Sequence, residues 1–236
     1  MLVFWRLFLA LLVTDFIFQA EKFTGLKMRR ATAEFIHLSV FFILACAFNY
    51  RYLDAVWFSV GPVSLSGIPS LILFSAAHYA LDALFETPED FSSVLPRTAK
   101  VIWHKIMLFW ALLIISPDVG LSEGRNLFPE PVLIAFCGLF LVTGYTSSVI
   151  CSYEEDACII KKQSRDEIYF TALHRAVMYG LCLMPGFSWI LFCAIWFVLS
   201  WYAATRRFFD ISNFNLYYGG AFALICGALV RLIIYA

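Results

Sequence analysis

Residues Thr32–Leu53 read T-A-E-F-I-H-L-S-V-F-F-I-L-A-C-A-F-N-Y-R-Y-L, and this stretch decides what kind of molecule the chain is. From Phe35 to Phe48 only His37 and Ser39 interrupt the apolar residues. As an α-helix rising about 1.5 Å per residue the stretch is roughly 33 Å long, enough to cross the hydrocarbon core of a bilayer. A helix that is apolar on every side has no aqueous face to turn outward, so its solvent is lipid. Similar runs recur at 2–20, 67–85, 101–116, 131–151, 172–186, 187–205 and 214–235.

The expected fold is therefore an all-α, polytopic transmembrane helical bundle of about eight spans. Residues 172–205 are too long for one span and short for two, with Pro185-Gly186 as the only break. A proline and a glycine there predict a tight helical hairpin; one continuous helix would reduce the count to seven. The chain reads as one integral membrane domain, with a three-span amino-terminal half over 1–86 and a five-span carboxy-terminal half over 87–236.

Composition agrees with this reading. The chain is 62% hydrophobic and only 14% charged, against about 45–50% apolar and about 25% charged in soluble domains. Its formal net charge is zero, which leaves no basic face for nucleic acid once the clusters between runs are assigned to the lipid boundary. The seven cysteines form no C-x-x-C pair and no zinc-ribbon spacing, and inside apolar runs a free cysteine behaves as a small hydrophobe. Phe16-Ile17-Phe18-Gln19 offers no small-residue cleavage site, so the first run is expected to be a retained span rather than a signal peptide.

Lys and Arg accumulate in cytoplasmic loops, which gives an orientation. Lys22, Lys27, Arg29 and Arg30 follow the first run; Arg97, Lys100 and Lys105 surround the start of the fourth. Lys161, Lys162, Arg165 and Arg175 lie about the start of the sixth, and Arg206 and Arg207 follow the seventh. The opposite ends hold only Arg6, Arg51, Arg125 and Arg231. The first group is read as cytoplasmic, which places both termini outside. Residues 54–66, with Trp57 and the Gly61-Pro62 break, are expected to form an interfacial outer segment, and 117–130 an exposed outer loop.

The polar residues inside the runs carry the functional information, because an ionisable group at the centre of a span costs about 2.5–3.5 kcal/mol on insertion scales. Asp15 and Gln19 are four apart and share a helix face. Glu34 and His37 are three apart at the start of the second run, and His78 and Asp82 repeat the four-residue spacing at the end of the third. All these pairs fall at cytoplasmic ends, as do His104 and His174. Carboxylates and imidazoles on facing helices suit a divalent metal, with Asp15, His37, His78 and Asp82 as candidate ligands and Gln19 and Glu34 as polar support. The same groups suit a proton or ion relay. They also suit plain pairing with boundary arginines or headgroup water; His104 and His174, near helix starts, read as solvated, and Glu34 as an ion pair with Arg30.

These segments resemble an uncharacterised bacterial multi-span membrane family, domain of unknown function family 3307. Asp15-Phe16 and Gln19 match its D-F-x-x-Q element, His37 its histidine at the start of the second span, and His78 with Asp82 its H-x-x-x-D. Ala203-Ala204-Thr205-Arg206-Arg207-Phe208 and Tyr217-Tyr218-Gly219 echo its carboxy-terminal layout. The chain departs at Leu11, where the family has a histidine, and at Phe85 or Glu86, where it has a lysine. The resemblance implies a multi-pass protein of the cell inner (plasma) membrane with a polar site at the cytoplasmic leaflet.

Three function classes follow. A metal held by Asp15, His37, His78 and Asp82 would activate water or polarise a phosphate, with Arg206 and Arg207 contacting an anionic headgroup; an enzyme of this kind would act on a membrane-embedded, phosphate-bearing substrate. A proton- or ion-coupled transporter would instead show broken helices near the midplane. A scaffold or subunit of a larger complex would offer its helices to a membrane-protein partner or to a second copy of itself.

Overall fold

The computed structural model describes residues 2–24, 30–60, 62–86, 96–116, 129–157, 165–208 and 212–235, and their side chains except at 17–24, 30–31, 60, 83–86 and 165. The elements run α1 (Leu2–Thr24), α2 (Arg30–Asn49), β1 (Val56–Val60), β2 (Val63–Ser66), α3 (Gly67–Glu86), α4 (Arg97–Ile115), α5 (Glu130–Phe140), α6 (Thr146–Asp156), α7 (Arg165–Cys182), α8 (Ser188–Thr205) and α9 (Asn213–Tyr235). A π-helical turn, Leu141–Tyr145, joins α5 to α6. Among the described residues five helical stretches are long and apolar enough to cross a bilayer: Thr32–Tyr52, Arg97–Ile115, Glu130–Asp156, Ser188–Thr205 and Asn213–Tyr235. The protein is an all-α helical bundle with membrane-spanning character.

The chain divides into two compact units, Met1–Leu133 and Ile134–Ala236. In the first, α1 packs on α2 and α4, and α3 packs on α2 and α4, so α4 joins the three helices with which the sequence reading did not group it. Its core is built from Phe4, Leu7 and Leu11 of α1, Phe41 and Ala45 of α2, Leu71 and Phe74 of α3, and Leu108, Leu112 and Ile115 of α4. The last three recur at i, i+4 and i+7, one stripe of a helix. On the other side of α4, Trp103, Met107, Trp110 and Ile114 are exposed, as lipid-facing residues should be.

The expected interfacial segment 54–66 is instead a β-hairpin. Strands β1 and β2 are antiparallel, with Phe58 opposite Leu65, Ser59 opposite Ser64 and Val60 opposite Val63. The register slips between Val56 and Phe58, which makes Trp57 the extra residue of a bulge, and a bulge re-aims a side chain. Trp57 is accordingly fully buried, and its indole Nε1–H donates to the Tyr52 carbonyl at 2.7 Å. It is a core residue rather than the interfacial anchor its outer position suggested. The hairpin closes onto α3 through Gly67, whose N–H donates to the Leu53 carbonyl at 2.8 Å. A Cβ at Gly67 would stand 2.8 Å from both the Cα and the carbonyl oxygen of Leu53, so only glycine permits the approach.

In the second unit α7 is central and packs on α8, α9 and the π turn. The hairpin expected at Pro185 is present: α7 ends at Cys182, α8 begins at Ser188, and Gly186 takes φ +74° in the turn. Arg231 of α9 holds this turn, donating from Nη1 to the carbonyls of Cys182 and Met184 and from Nη2 to that of Gly186 at 2.7 Å. A cation on the last carbonyls of a helix satisfies acceptors that have no intrahelical partner and complements the helix dipole. On α9, Gly219, Gly220, Ala223 and Gly227 are buried, and the small residues 219, 223 and 227, each four apart, form a face that lets two helix backbones approach.

Candidate functional site

Four helices of the first unit each bring ionisable groups to one place: Asp15 from α1, His37 from α2, His78 and Asp82 from α3, His104 and Lys105 from α4. The i, i+4 spacing puts His78 and Asp82 on one face of α3, with Nε2 of His78 3.6 Å from Oδ2 of Asp82. Position 104 continues the stripe of Leu108 and Leu112 one turn toward the start of α4. His104 therefore points inward, and its Nε2 lies 2.7 Å from Oδ1 of Asp82. One carboxylate thus stands between two imidazoles from neighbouring helices.

Beside it lies a second pairing. Oδ2 of Asp15 is 2.5 Å from Nζ of Lys105 and Oδ1 is 3.6 Å from Nε2 of His37. The rings of His37 and His78 meet edge to face at 5.4 Å between centroids, and those of His78 and His104 lie 6.2 Å apart. The groups form one run: Lys105, Asp15, His37, His78, Asp82, His104. The side chains of Asp15, His37, Asp82 and His104 are about 15% exposed, whereas His78 is 1% exposed. His78 is the inner end and the others form the mouth.

All four sequence-predicted ligands therefore belong to one network, but the group able to share an ion differs from the predicted set. His78, Asp82 and His104 offer ligand atoms that all lie within 4.8 Å of one another. Nitrogen and oxygen ligands of a first-row ion stand about 2.0–2.2 Å from it, hence about 3–4 Å from each other. A closure of about an ångström would complete the site. Asp15 is engaged by Lys105, a cation that the sequence reading assigned to the lipid boundary. His104, expected to be solvated, is drawn in because the helix begins at Arg97, which places it two turns inside. Gln19 and Arg30 carry side chains outside the described residues; Glu34 is half-buried one turn before His37.

Two features argue that this is more than a satisfied polar core. The Nδ1 of His78 is buried without a hydrogen-bond partner, which costs about 1–3 kcal/mol if nothing else supplies one. The charges are also unequal: Lys105 neutralises Asp15, so Asp82 faces neutral imidazoles as an uncompensated carboxylate unless a cation or a proton joins it.

The second unit holds its own buried polar group. His174 lies mid-helix rather than at a solvated start, because α7 begins at Arg165; it is 1% exposed, with Nδ1 3.0 Å from Oγ of Ser200. Arg175, expected at the cytoplasmic boundary, is fully buried and donates from Nε to the Thr171 carbonyl and from Nη2 to Oγ of Ser147. Glu154 and Glu167 both accept from Ser212 at the start of α9, one from its hydroxyl at 2.7 Å and one from its N–H at 3.0 Å. Arg206 and Arg207 are exposed beyond α8; Arg206 lies over the Tyr202 ring at 5.4 Å, and Arg207 takes φ 55°.

No family model matches the chain, and no curated protein and no solved structure matches it.

Proposed function

We propose that the first unit carries a metal centre in a multi-pass protein of a bacterial inner membrane, with His78, Asp82 and His104 as ligands to a divalent first-row transition ion. The observation that carries this reading is the convergence of the three donors within 4.8 Å. Two imidazoles and one carboxylate form a borderline-hard set that suits zinc, and three protein ligands leave a position for water or substrate oxygen. An ion there would act as a Lewis acid toward a phosphate or a bound water. The order of motifs shared with domain of unknown function family 3307 supports the location of the site.

The basic residues support a cytoplasmic placement of this mouth. Two of the four basic residues at the opposite ends have structural uses: Arg231 on the α7 turn, and Arg6, whose Nη1 donates to the Phe48 carbonyl at 3.0 Å near the end of α2. Removing such structural cations from the comparison sharpens the bias toward the cytoplasm. Exposed Arg206 and Arg207 fit headgroup contact there.

The test is the metal content of protein purified in detergent without added metal, followed by titration of the chelator-stripped protein with zinc. One equivalent, lost in Asp82→Asn, is the expected result. A second reading rests on the unbroken run from Asp15 to His104, which is the geometry of a proton relay. Protein that takes up no divalent ion, with Asp82 needed for proton-coupled flux in vesicles, would replace the metal reading by that one.

A further inference from the structure

Asp15 has the chemistry of a fourth ligand and lies in the same network, yet the convergent group does not include it. The reason is on the next residue of the helix that supplies His104. Residues 104 and 105 point about 100° apart on α4; the first meets Asp82 at 2.7 Å and the second meets Asp15 at 2.5 Å.

We infer that Lys105 is a positioning residue that holds Asp15 out of the coordination sphere and so keeps one position of the proposed metal open to an exogenous oxygen ligand. This inference rests on the metal reading. The Asp15 and Lys105 side chains are 15% and 26% exposed, so water screens their attraction poorly. Transfer of Asp15 to a metal would leave a shielded ammonium with no counter-ion, which opposes the move. Without the ammonium the balance reverses. Asp15 would keep only His37, 3.6 Å away, whose ring lies against that of His78, and the nearest uncompensated positive charge would be the ion. Three protein ligands with an open position characterise catalytic zinc sites, and four protein ligands structural ones. Lys105 selects between the two.

The test uses full-length protein in detergent, stripped by chelator and titrated with Co(II), whose visible absorption reports the ligand set; azide and inorganic phosphate then probe the open position. Wild type should bind one Co(II) with a spectrum that shifts on adding either anion. Lys105→Met should bind Co(II) about tenfold more tightly, with a spectrum that no longer responds to anion because Asp15 fills the position. Lys105→Arg, which keeps a cation, should restore the response, and so should Asp15→Asn combined with Lys105→Met. Lys105→Gln removes the charge while keeping a donor, and decides the matter equally if the methionine variant does not fold. Uncharged variants at 105 that bind Co(II) and still respond to anion as wild type does would overturn the inference and leave the metal site standing. Wild type that takes no Co(II) would overturn the metal reading itself.

Discussion

Nε2 of His104 lies 2.7 Å from Oδ1 of Asp82, joining α4 to α3 at the mouth of the first unit. Asp82 touches both imidazoles of the candidate centre, so it is the most consequential residue of the site. Asp82→Asn keeps the shape and removes the charge. Its zinc affinity should fall by at least about 100-fold and that of His104→Ala by about 10-fold or more, with helix content by circular dichroism unchanged. Equal zinc affinity in Asp82→Asn and wild type would remove these residues from any metal site.

Glycines in the two units separate close approach from helix propensity. A Cβ at Gly67 meets Leu53 backbone at 2.8 Å, and one at Gly220 meets Nε2 of His174 at 2.9 Å, whereas one at Gly180 meets nothing within 4 Å. Gly67→Ala and Gly220→Ala should each lower stability by about 1–3 kcal/mol. Gly180→Ala, at an exposed helix position, should be neutral or stabilising by up to about 1 kcal/mol. Unfolding titrations in mixed detergent micelles measure all three; a Gly67→Ala chain as stable as wild type would mean that the hairpin junction is looser than described.

Arg231 bonds three carbonyls at the turn between α7 and α8. Arg231→Met keeps the stem and abandons those acceptors, so the turn should open locally while the rest of the unit holds. Hydrogen exchange over 180–190 should accelerate about tenfold or more, corresponding to about 1.4 kcal/mol or more. Exchange unchanged in that window would assign the turn's order to Pro185 and Gly186 alone.

The proposed orientation puts Asp54 and Arg97 on opposite sides of the bilayer. In a background lacking the native cysteines, Asp54→Cys should react with an impermeant maleimide in intact cells and Arg97→Cys only after permeabilisation. Reversed labelling would move the polar mouth to the outer leaflet.

The helices were legible because lipid demands apolar side chains all round, and no soluble pattern imitates runs such as 32–53. His78 and Asp82 were legible from spacing. His104 was readable in principle, since 104, 108 and 112 lie on one stripe, but placing the start of the fourth run at 101 left it looking solvated. Lys105 could not be read: a boundary lysine and a lysine bent inward to a carboxylate on α1 have the same sequence, and only tertiary packing separates them. The hairpin escaped for a different reason. V-W-F-S-V does not alternate cleanly, because the bulge at Trp57 spends one residue out of step. The polar start of α7 hid half a turn after another of helix, so Arg175 was taken for a boundary charge when it lies fully enclosed.

The π turn at Leu141–Tyr145 has a consequence for how this chain can change length. A π turn accommodates one residue more than the α-helix around it, so the α5–α6 rod behaves as a helix into which a single residue has been inserted without breaking it. Deleting one residue there would let the rod relax to regular α-helix and turn everything beyond it by about 100°. Ser147 would leave Arg175 and Glu154 would leave Ser212, contacts that now lie at 2.5 Å and 2.7 Å. In homologous chains a one-residue gap at this point should therefore travel with replacements at 147, 154, 175 and 212 together, whereas gaps in the connections between helices carry no such obligation.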